Sequence, residues 1–428
     1  MTSIDLGPFP DADGYQEALN LDVEDTLAGH RTGYVSSDPD LIYLDGNSLG
    51  RLLAGTAEGV NEVVTQEWGD RLIRAWNDRW WDLQLDLGDK LAPLLGAGPG
   101  EVIISDSTSV NLYKLARAAV DATAPDRDRI VTDDLNFPSD LYILESVAAE
   151  TGRSLQIVRS DGIHGPVDGL AEAIGEHTAL VSLSHTVFQS GYTYDLAAIT
   201  RLSHDAGARV LWDCSHSVGA VPIDFEEAGV DLAVGCTYKH LSGGPGAPAF
   251  LYVRRGLQDE LVNPIAGWWS HAEPFALDLT YRPTSGIRRF HTGTMPILSL
   301  AAIEPGLDDV IAATVPAIRE KSMALGEYLV RQHDVHLASL GFELASPSDP
   351  VRRGSHLSLR HRHAWPIDLA LIDRAKVIPD FRAPDSLRLG ISALYTSFVQ
   401  IHTAVQRISQ VVTHGVYEDY ANARSTVT

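Results

Sequence analysis

Two apolar runs in this sequence end in side chains able to do acid–base and nucleophilic chemistry. "RVLWDC" reaches Asp213, with His216 just beyond it, and "LAVGCTYK" reaches Tyr238 and Lys239. Ligands of open α/β sheets bind outside the carboxyl ends of the strands, so a carboxylate and an amine at two such tips would face one bound molecule. Two further strand-to-helix junctions carry hydroxyls: "SDSTSVN" (105–111) and "LNFPSD" (135–140), the second with Phe137. Hydroxyls and free amides at a helix start, with the helix dipole behind them, hold an anion.

Together these parts suit pyridoxal phosphate. That cofactor needs a lysine for its Schiff base, a carboxylate facing its pyridine nitrogen, an anion cradle and an aromatic face. Lys239 and Asp213 supply the first two, Thr108 and Ser109 the cradle, and Phe137 the stacking ring. Each feature alone has a plain structural reading. A lysine at a strand end is usually a surface residue, an aspartate there caps or turns the chain, and "STS" before a helix is an N-cap. Their joint occurrence on successive strands favours the chemical reading.

The elements that must position these residues alternate along the chain. "EVIISD", "RIVTDD", "SLQIVRS", "ALVSLSH", "RVLWDC", "LAVGCT" and "AFLYVRR" read as strands separated by helical segments. Short, continuous, β-branched runs of this kind predict a parallel or mixed sheet covered on both faces. Residues 55–94 look helical and rich in Trp. A short helix is expected at 15–27 and a long helical region at 300–334. Beyond it, "GFELAS", "SHLSLRH", "KVIPDF" and "SLRLGIS" with helices at 367–375 and 397–414 predict a smaller α+β domain. The expected boundaries are an N-terminal arm at 1–60, a large domain at 61–300 and a small domain at 301–428.

Bulk composition bounds the function. The chain has 428 residues, 44% hydrophobic and 21% charged, as in ordinary globular proteins. A formal net charge of −24 argues against nucleic acid or an anionic membrane as partner. Two cysteines, Cys214 and Cys236, lie in apolar runs without metal-ligand spacing, so neither a disulfide framework nor a metal site is expected. The acidic start "MTSIDLGPFPDADGYQEALNLD" lacks the apolar core of a signal peptide, and no apolar run approaches membrane-spanning length. A soluble, cytoplasmic protein is the expectation. No GxxxxGK[ST] occurs, and "GGPGAP" lacks the dinucleotide-binding spacing.

The stretches "YLDGNSLG", "WGDRLIRAWN", "DSTSVNLYK", "NFPSDLYI", "LWDCSHSVGAVPID", "VGCTYKHLSGGPGAPAFLYV", "GWWSHAEPF", "GIRRFHTGTMPILSL", "RRGSHLSL" and "DFRAPDSLRLG" resemble those of kynureninases. The resemblance spans residues 43 to about 400. It implies the type I fold of pyridoxal-phosphate transferases, with a mixed, mostly parallel seven-stranded sheet flanked by helices. It implies hydrolysis of the Cβ–Cγ bond of kynurenine or 3-hydroxykynurenine to an anthranilate and alanine, in tryptophan breakdown. Carried over by position, Thr108 and Ser109 bind phosphate, and Phe137 stacks with Asp140 nearby. Ser190 is a further cofactor contact, Asp213 meets the pyridine nitrogen and His216 adjoins it. Lys239 is the Schiff-base lysine, and Tyr238 beside it is a candidate acid. Trp268 and Thr294 match cofactor positions contributed by the partner subunit of a homodimer with shared active sites. Arg388 matches the arginine for the substrate carboxylate. Asn47, Trp76, Trp81 and His271 are expected on the substrate side, against core packing for the tryptophans.

Several positions depart from the family pattern: "HTVFQSG" with Phe188, Gln189 and Ser190; "HTGT" with His291 and Thr292; "RAKVIPDFR" with Pro379; "TYKHLSGG" with His240 and Ser242; and "GISALYT" with Ala393. Drift in a distant relative accounts for them. The alternative is a pocket retuned to another β-substituted amino acid, such as an S-cysteine conjugate, with β-elimination or decarboxylative deamination in a specialised biosynthesis. A non-catalytic protein on the same fold would be expected to lack Lys239 or Asp213, and both are present.

Overall fold

A computed structural model describes residues 11–423, so the first ten residues of the expected arm lie outside the described part. In chain order the strands are β1 (Ile42–Tyr43), β2 (Val102–Ile104), β3 (Arg129–Asp133), β4 (Ser154–Val158), β5 (Thr178–Ser184), β6 (Arg209–Asp213) and β7 (Leu232–Gly235). They continue as β8 (Phe250–Val253), β9 (Glu343–Leu344), β10 (His356–Arg360), β11 (Val377–Ile378), β12 (Asp380–Arg382) and β13 (Ser386–Gly390). Seven of them form the main sheet in the order β2-β8-β7-β6-β5-β3-β4. Only β8 runs antiparallel to its neighbours.

The main sheet is covered on both faces, which is why its strands read as unbroken apolar runs. Every residue of β5, β7 and β8 is buried. Leu180, Leu211, Leu232 and Leu251 join Leu115 and Leu144 of the helices Thr108–Asp121 and Pro138–Thr151 on one face. Val181, Trp212, Ala233 and Phe250 pack on the other face with Leu196, Ile199 and Leu307. Register then fixes the chemistry: Ser184 pairs with Asp213, and Asp213 with Val234, so these strands end level with one another.

The smaller sheet is antiparallel, β12-β13-β10-β9, and shares a core with helices Val315–His336, Ala364–Arg374 and Phe398–Thr413. The N-terminal segment is built into this core, because Ala18, Ile42 and Leu44 are buried among its residues and β1 pairs in parallel with β11. "KVIPDF" divides at Pro379, which has no N–H to continue a ladder. The residues before it pair with β1 and those after it with β13.

Two expected helical stretches are interrupted. Instead of one helix over 300–334 the chain forms Ile297–Ala301, Glu304–Ala313 and Val315–His336. Pro305 and Pro316 each sit in a first turn, where their missing N–H costs nothing, and Thr314 turns the chain at φ 65°. The Trp-rich stretch starts as a regular helix, Ala54–Glu62, then widens into π-type turns over Val63–Arg71 and Trp76–Trp80 around Leu72 at φ 55°.

Candidate active site

At the carboxyl edge of the main sheet a cavity of about 200 Å³ gathers residues from six strand or helix ends. Asn47, Ser48, Thr108, Ser109, Phe137, Asp140, Ser184, Phe188, Asp213, His216, Tyr238, Lys239, Arg382 and Arg388 all line it. Thr108 and Ser109 open the helix Thr108–Asp121, capped by Ser107, whose hydroxyl accepts from the Val110 amide at 3.4 Å. Ser139 and Asp140 open the helix Pro138–Thr151, which has no side-chain cap, so two helix starts aim amides and dipoles at the cavity.

Asp213 ends β6 with its Oδ1 accepting from the Ser215 amide at 2.8 Å. Asp140 is buried and hydrogen-bonded to Asp213. Burial and the adjacent Asp213 carboxylate hold the Asp140 carboxyl well above the ordinary carboxylate range, while Lys239 pulls the other way. The pair therefore carries one proton, and Asp140 is its holder. Lys239 Nζ donates to His216 Nε2 at 2.7 Å. Burial, then the charges of Lys239 and Arg388, push His216 well below the usual imidazole range, so its ring stays neutral. Burial raises the Tyr238 hydroxyl, with Cys236 and Asp213 adding to the effect, so Tyr238 is a proton donor at neutral pH.

The other end of the cavity is lined by two arginines, Arg382 and Arg388, with Asp380 behind them. Arg388, 1% exposed on β13, donates to the Phe188 carbonyl at 2.6 Å, to Ser48 Oγ at 2.8 Å and to the Asp380 carboxylate. With its amide turned so that the oxygen faces the guanidinium, Asn47 accepts from Nε at 2.8 Å and Nη2 at 3.3 Å. Gly390 makes room for this, since a Cβ there would lie 1.8 Å from the far end of the Asn47 amide. Arg382 reaches the same Asp380 oxygen at 3.0 Å. Phe188 crosses the ring of Phe137 edge to face, with centroids 5.2 Å apart.

The residues present fit pyridoxal phosphate. An aromatic ring, Phe137, is 43% exposed at the cavity wall, an acid pair lies at one side, a lysine at another, and two helix starts offer donors. Nδ1 of His216 is buried with no hydrogen-bond partner among the described residues, a polar atom left for a bound group. No cluster of three metal-ligating side chains occurs among the described residues.

Not every expected residue meets the cavity. Ser190 stands off the cavity: its hydroxyl donates to the Ile163 carbonyl at 2.7 Å, while Ser184 at the tip of β5 lines the site. Trp76 belongs to an aromatic cluster, 5.3 Å from Trp80 and 5.1 Å from Trp269, and Trp81 stacks on Trp269 at 4.5 Å. His271 is held by the Thr280 carbonyl at 3.2 Å and the Glu273 amide at 2.9 Å. Trp268, 43% exposed, and the exposed Thr294 also stand off the cavity of their own chain. Of the departures, Phe188 lines the cavity, whereas Gln189, His240, His291, Pro379 and Ala393 do not. Sequence reasoning missed Ser48, Ser139, Ser184, Ser215 and Arg382; a rule that every residue at a strand tip faces the ligand would have found Ser184.

The sheet order, its single antiparallel strand and this cavity define a fold-type-I pyridoxal-phosphate enzyme. Solved structures with the fold include the cysteine desulfurase CsdA of Escherichia coli, at TM-score 0.78 and 17% identity over 91% of this chain and 99% of that one. A variant of the cystine C–S lyase C-DES with glycine covalently linked to its pyridoxal phosphate matches at TM-score 0.75 and 20% identity, over 86% and 97%. A family model described as the kynureninase C-terminal domain matches residues 318–408. The kynureninase of Pseudomonas fluorescens is 42% identical over 402 residues, 92% of this chain and 95% of that protein. That of Burkholderia pseudomallei (strain 1106a) is 41% identical over 401 residues, 93% and 95%. The chain belongs to the kynureninase family.

Proposed function

We propose that this protein hydrolyses the Cβ–Cγ bond of kynurenine or its 3-hydroxy form, releasing an anthranilate and alanine. The observation that carries the reading is one cavity holding Lys239, the Asp140–Asp213 pair, two helix starts and Arg388 together. Bound pyridoxal phosphate supplies an electron sink for charge left on the amino-acid carbons. Thr108, Ser109 and the two helix starts hold its phosphate, and Asp213 keeps the ring nitrogen protonated. Lys239 would hold the cofactor's aldehyde, and its amine is the group placed to move the α-proton. Arg388 orients the substrate carboxylate through its charge and its one uncommitted N–H. Phe137 and Phe188 offer apolar walls, and Tyr238 donates a proton to the carbon left when the anthranilate departs. The cysteine-conjugate alternative is not favoured, since the relatives at 41% and 42% identity are kynureninases and most departures fall off the cavity.

We further infer a homodimer in which Trp268 and Thr294 face the partner's cavity. The exposed apolar side chains Phe275, Leu277 and Leu279 near Trp268 support an interface there. No helix among the described residues is long and apolar enough to cross a membrane, and two free thiols fit a reducing cytoplasm. The test is incubation of purified protein with L-kynurenine and pyridoxal phosphate. Fluorescent anthranilate and equimolar alanine are expected, and Lys239→Ala should form neither. Wild-type protein that binds the cofactor and yields no anthranilate overturns the proposal.

A further inference from the structure

The substrate end of the cavity holds more acid than base. Arg382 and Arg388 face Asp380, and two further carboxyls stand behind it. Asp45 lies in the turn before Asn47, with Oδ1 buried and unpartnered among the described residues. Asp368, 0% exposed on the helix Ala364–Arg374, has no hydrogen-bond partner for either oxygen among those residues. Three carboxyls thus share two guanidiniums, with Asp368 and Asp380 buried, Asp45 half-buried and Arg382 reaching toward the surface. Arg388 already gives hydrogen bonds to Phe188, Ser48, Asp380 and Asn47, so one of its five N–H groups is uncommitted. A substrate carboxylate would be a fourth acid against the same two cations.

We propose that the substrate carboxylate enters the Arg388 site together with a proton, which the acids Asp45 and Asp368 hold. The inference rests on the reading of Arg388 as the carboxylate site. Burial and the charge of Asp380 hold Asp45 up at about 7. Burial, Asp380 and Asp45 hold Asp368 up at about 8, so both acids exchange protons where the enzyme works. A further negative charge raises both again, and the pocket takes up a proton as the ligand arrives. The other groups facing this pocket do not titrate there. Burial pushes His216, His240 and His356 down and leaves them neutral. Burial pushes Tyr43 and Tyr395 up, out of the neutral range. Lys239 and its cofactor are common to wild type and variants, so comparing them removes that contribution.

The test uses holoenzyme and 3-benzoylpropanoate, which keeps a carboxylate and an aryl ketone but has no amine to titrate. Calorimetry at pH 7.5 in two buffers of different ionisation heat should show uptake of about half to one proton per ligand. Affinity should weaken roughly tenfold or more from pH 7 to 9. In Asp45→Asn/Asp368→Asn both effects should vanish, with pH 9 affinity at or above that of wild type. No proton uptake by wild type, or an unchanged pH slope in the double variant, overturns the proposal. Should the double variant fail to fold, Asp368→Asn alone decides: a proton count and pH slope unchanged from wild type overturn the proposal. Absence of binding at any pH removes Arg388 as the carboxylate site and the proposal with it, while anthranilate formation from kynurenine is scored separately.

Discussion

Asp140 and Asp213 look interchangeable in the sequence, and the structure makes them opposites. Both are buried and hydrogen-bonded to one another, yet Asp213 accepts the Ser215 amide while Asp140 is held in the protonated form. Two ionised carboxylates roughly 4 Å apart, at an effective dielectric of about 20, would repel by ~4 kcal/mol, so ionisation of Asp140 is held well above the ordinary carboxylate range. Asp140→Asn replaces that proton with an amide N–H and leaves the hydrogen bond to Asp213 in place. Asp213→Asn removes the charge that faces the ring nitrogen. The sign of the stability effect follows from linkage. The folded-state pKa of Asp140 is raised, so its contribution to stability is full below the unfolded value near 4 and is lost as pH rises through the folded value. The Asn variant has no such loss. Apoenzyme carrying Asp140→Asn should therefore gain on wild type in urea unfolding as pH rises above the unfolded carboxyl value near 4, by about 1–3 kcal/mol. Its cofactor affinity, read by absorbance, should stay within about tenfold. Asp213→Asn should lose catalysis by about a thousandfold or more, the scale of losing one preorganised charge interaction of ~4 kcal/mol. Equal losses in the two variants, or a stability gain in Asp140→Asn that does not grow with pH, would refute the one-proton pair.

Two smaller perturbations test the frame around the site. Arg388→Lys keeps the charge but loses the fork that serves Phe188, Ser48, Asp380 and Asn47. Leaving one or two buried acceptors unpaired should cost about 2–4 kcal/mol in urea unfolding, and KM for kynurenine should rise by more than kcat falls. Thr314→Gly should stabilise by about 1 kcal/mol in thermal unfolding, because an exposed β-branched residue is held there at φ 65° between two helices.

The main sheet was legible because its strands are continuous apolar runs and its chemistry sits at their tips. Asp213, Tyr238 and Lys239 were found that way, and the structure brings all three to one cavity. What escaped was whatever depended on backbone direction or on distant pairing. Ser184 and Ser190 belong to the same stretch, yet the first lines the cavity while the hydroxyl of the second donates to the Ile163 carbonyl, a difference of backbone direction that the residue types do not carry. Arg382 was hidden because "KVIPDF" reads as one strand, whereas Pro379 splits it and hands the second half to β13. Pro305 and Pro316 were visible breakers inside the expected long helix, and hydrophobic periodicity outweighed them. That Ala18, Ile42 and Leu44 fold into the C-terminal core follows from contacts more than 280 residues apart, which no local pattern contains.

The lysine and the arginine belong to different sheets, so the distance between them is a property of what joins the sheets. The segment from β1 to Gly50 does this. Leu44 accepts from the Gly390 amide at 2.6 Å, two residues beyond Arg388, and the Gly50 amide donates to the Tyr238 carbonyl at 2.8 Å, one residue before Lys239. Asn47 and Ser48, between those two bonds, reach the guanidinium directly. A Cβ at Gly50 would lie 2.3 Å from the Lys239 carbonyl and 2.4 Å from Ser242 Oγ, so any side chain there must push the two sheets apart. A reaction that needs an amine at one end of its substrate and a guanidinium at the other tolerates a displacement of about 1 Å poorly. The six residues from Asp45 to Gly50 therefore set the spacing between the amine and the guanidinium, although none of them forms or breaks a bond to the substrate.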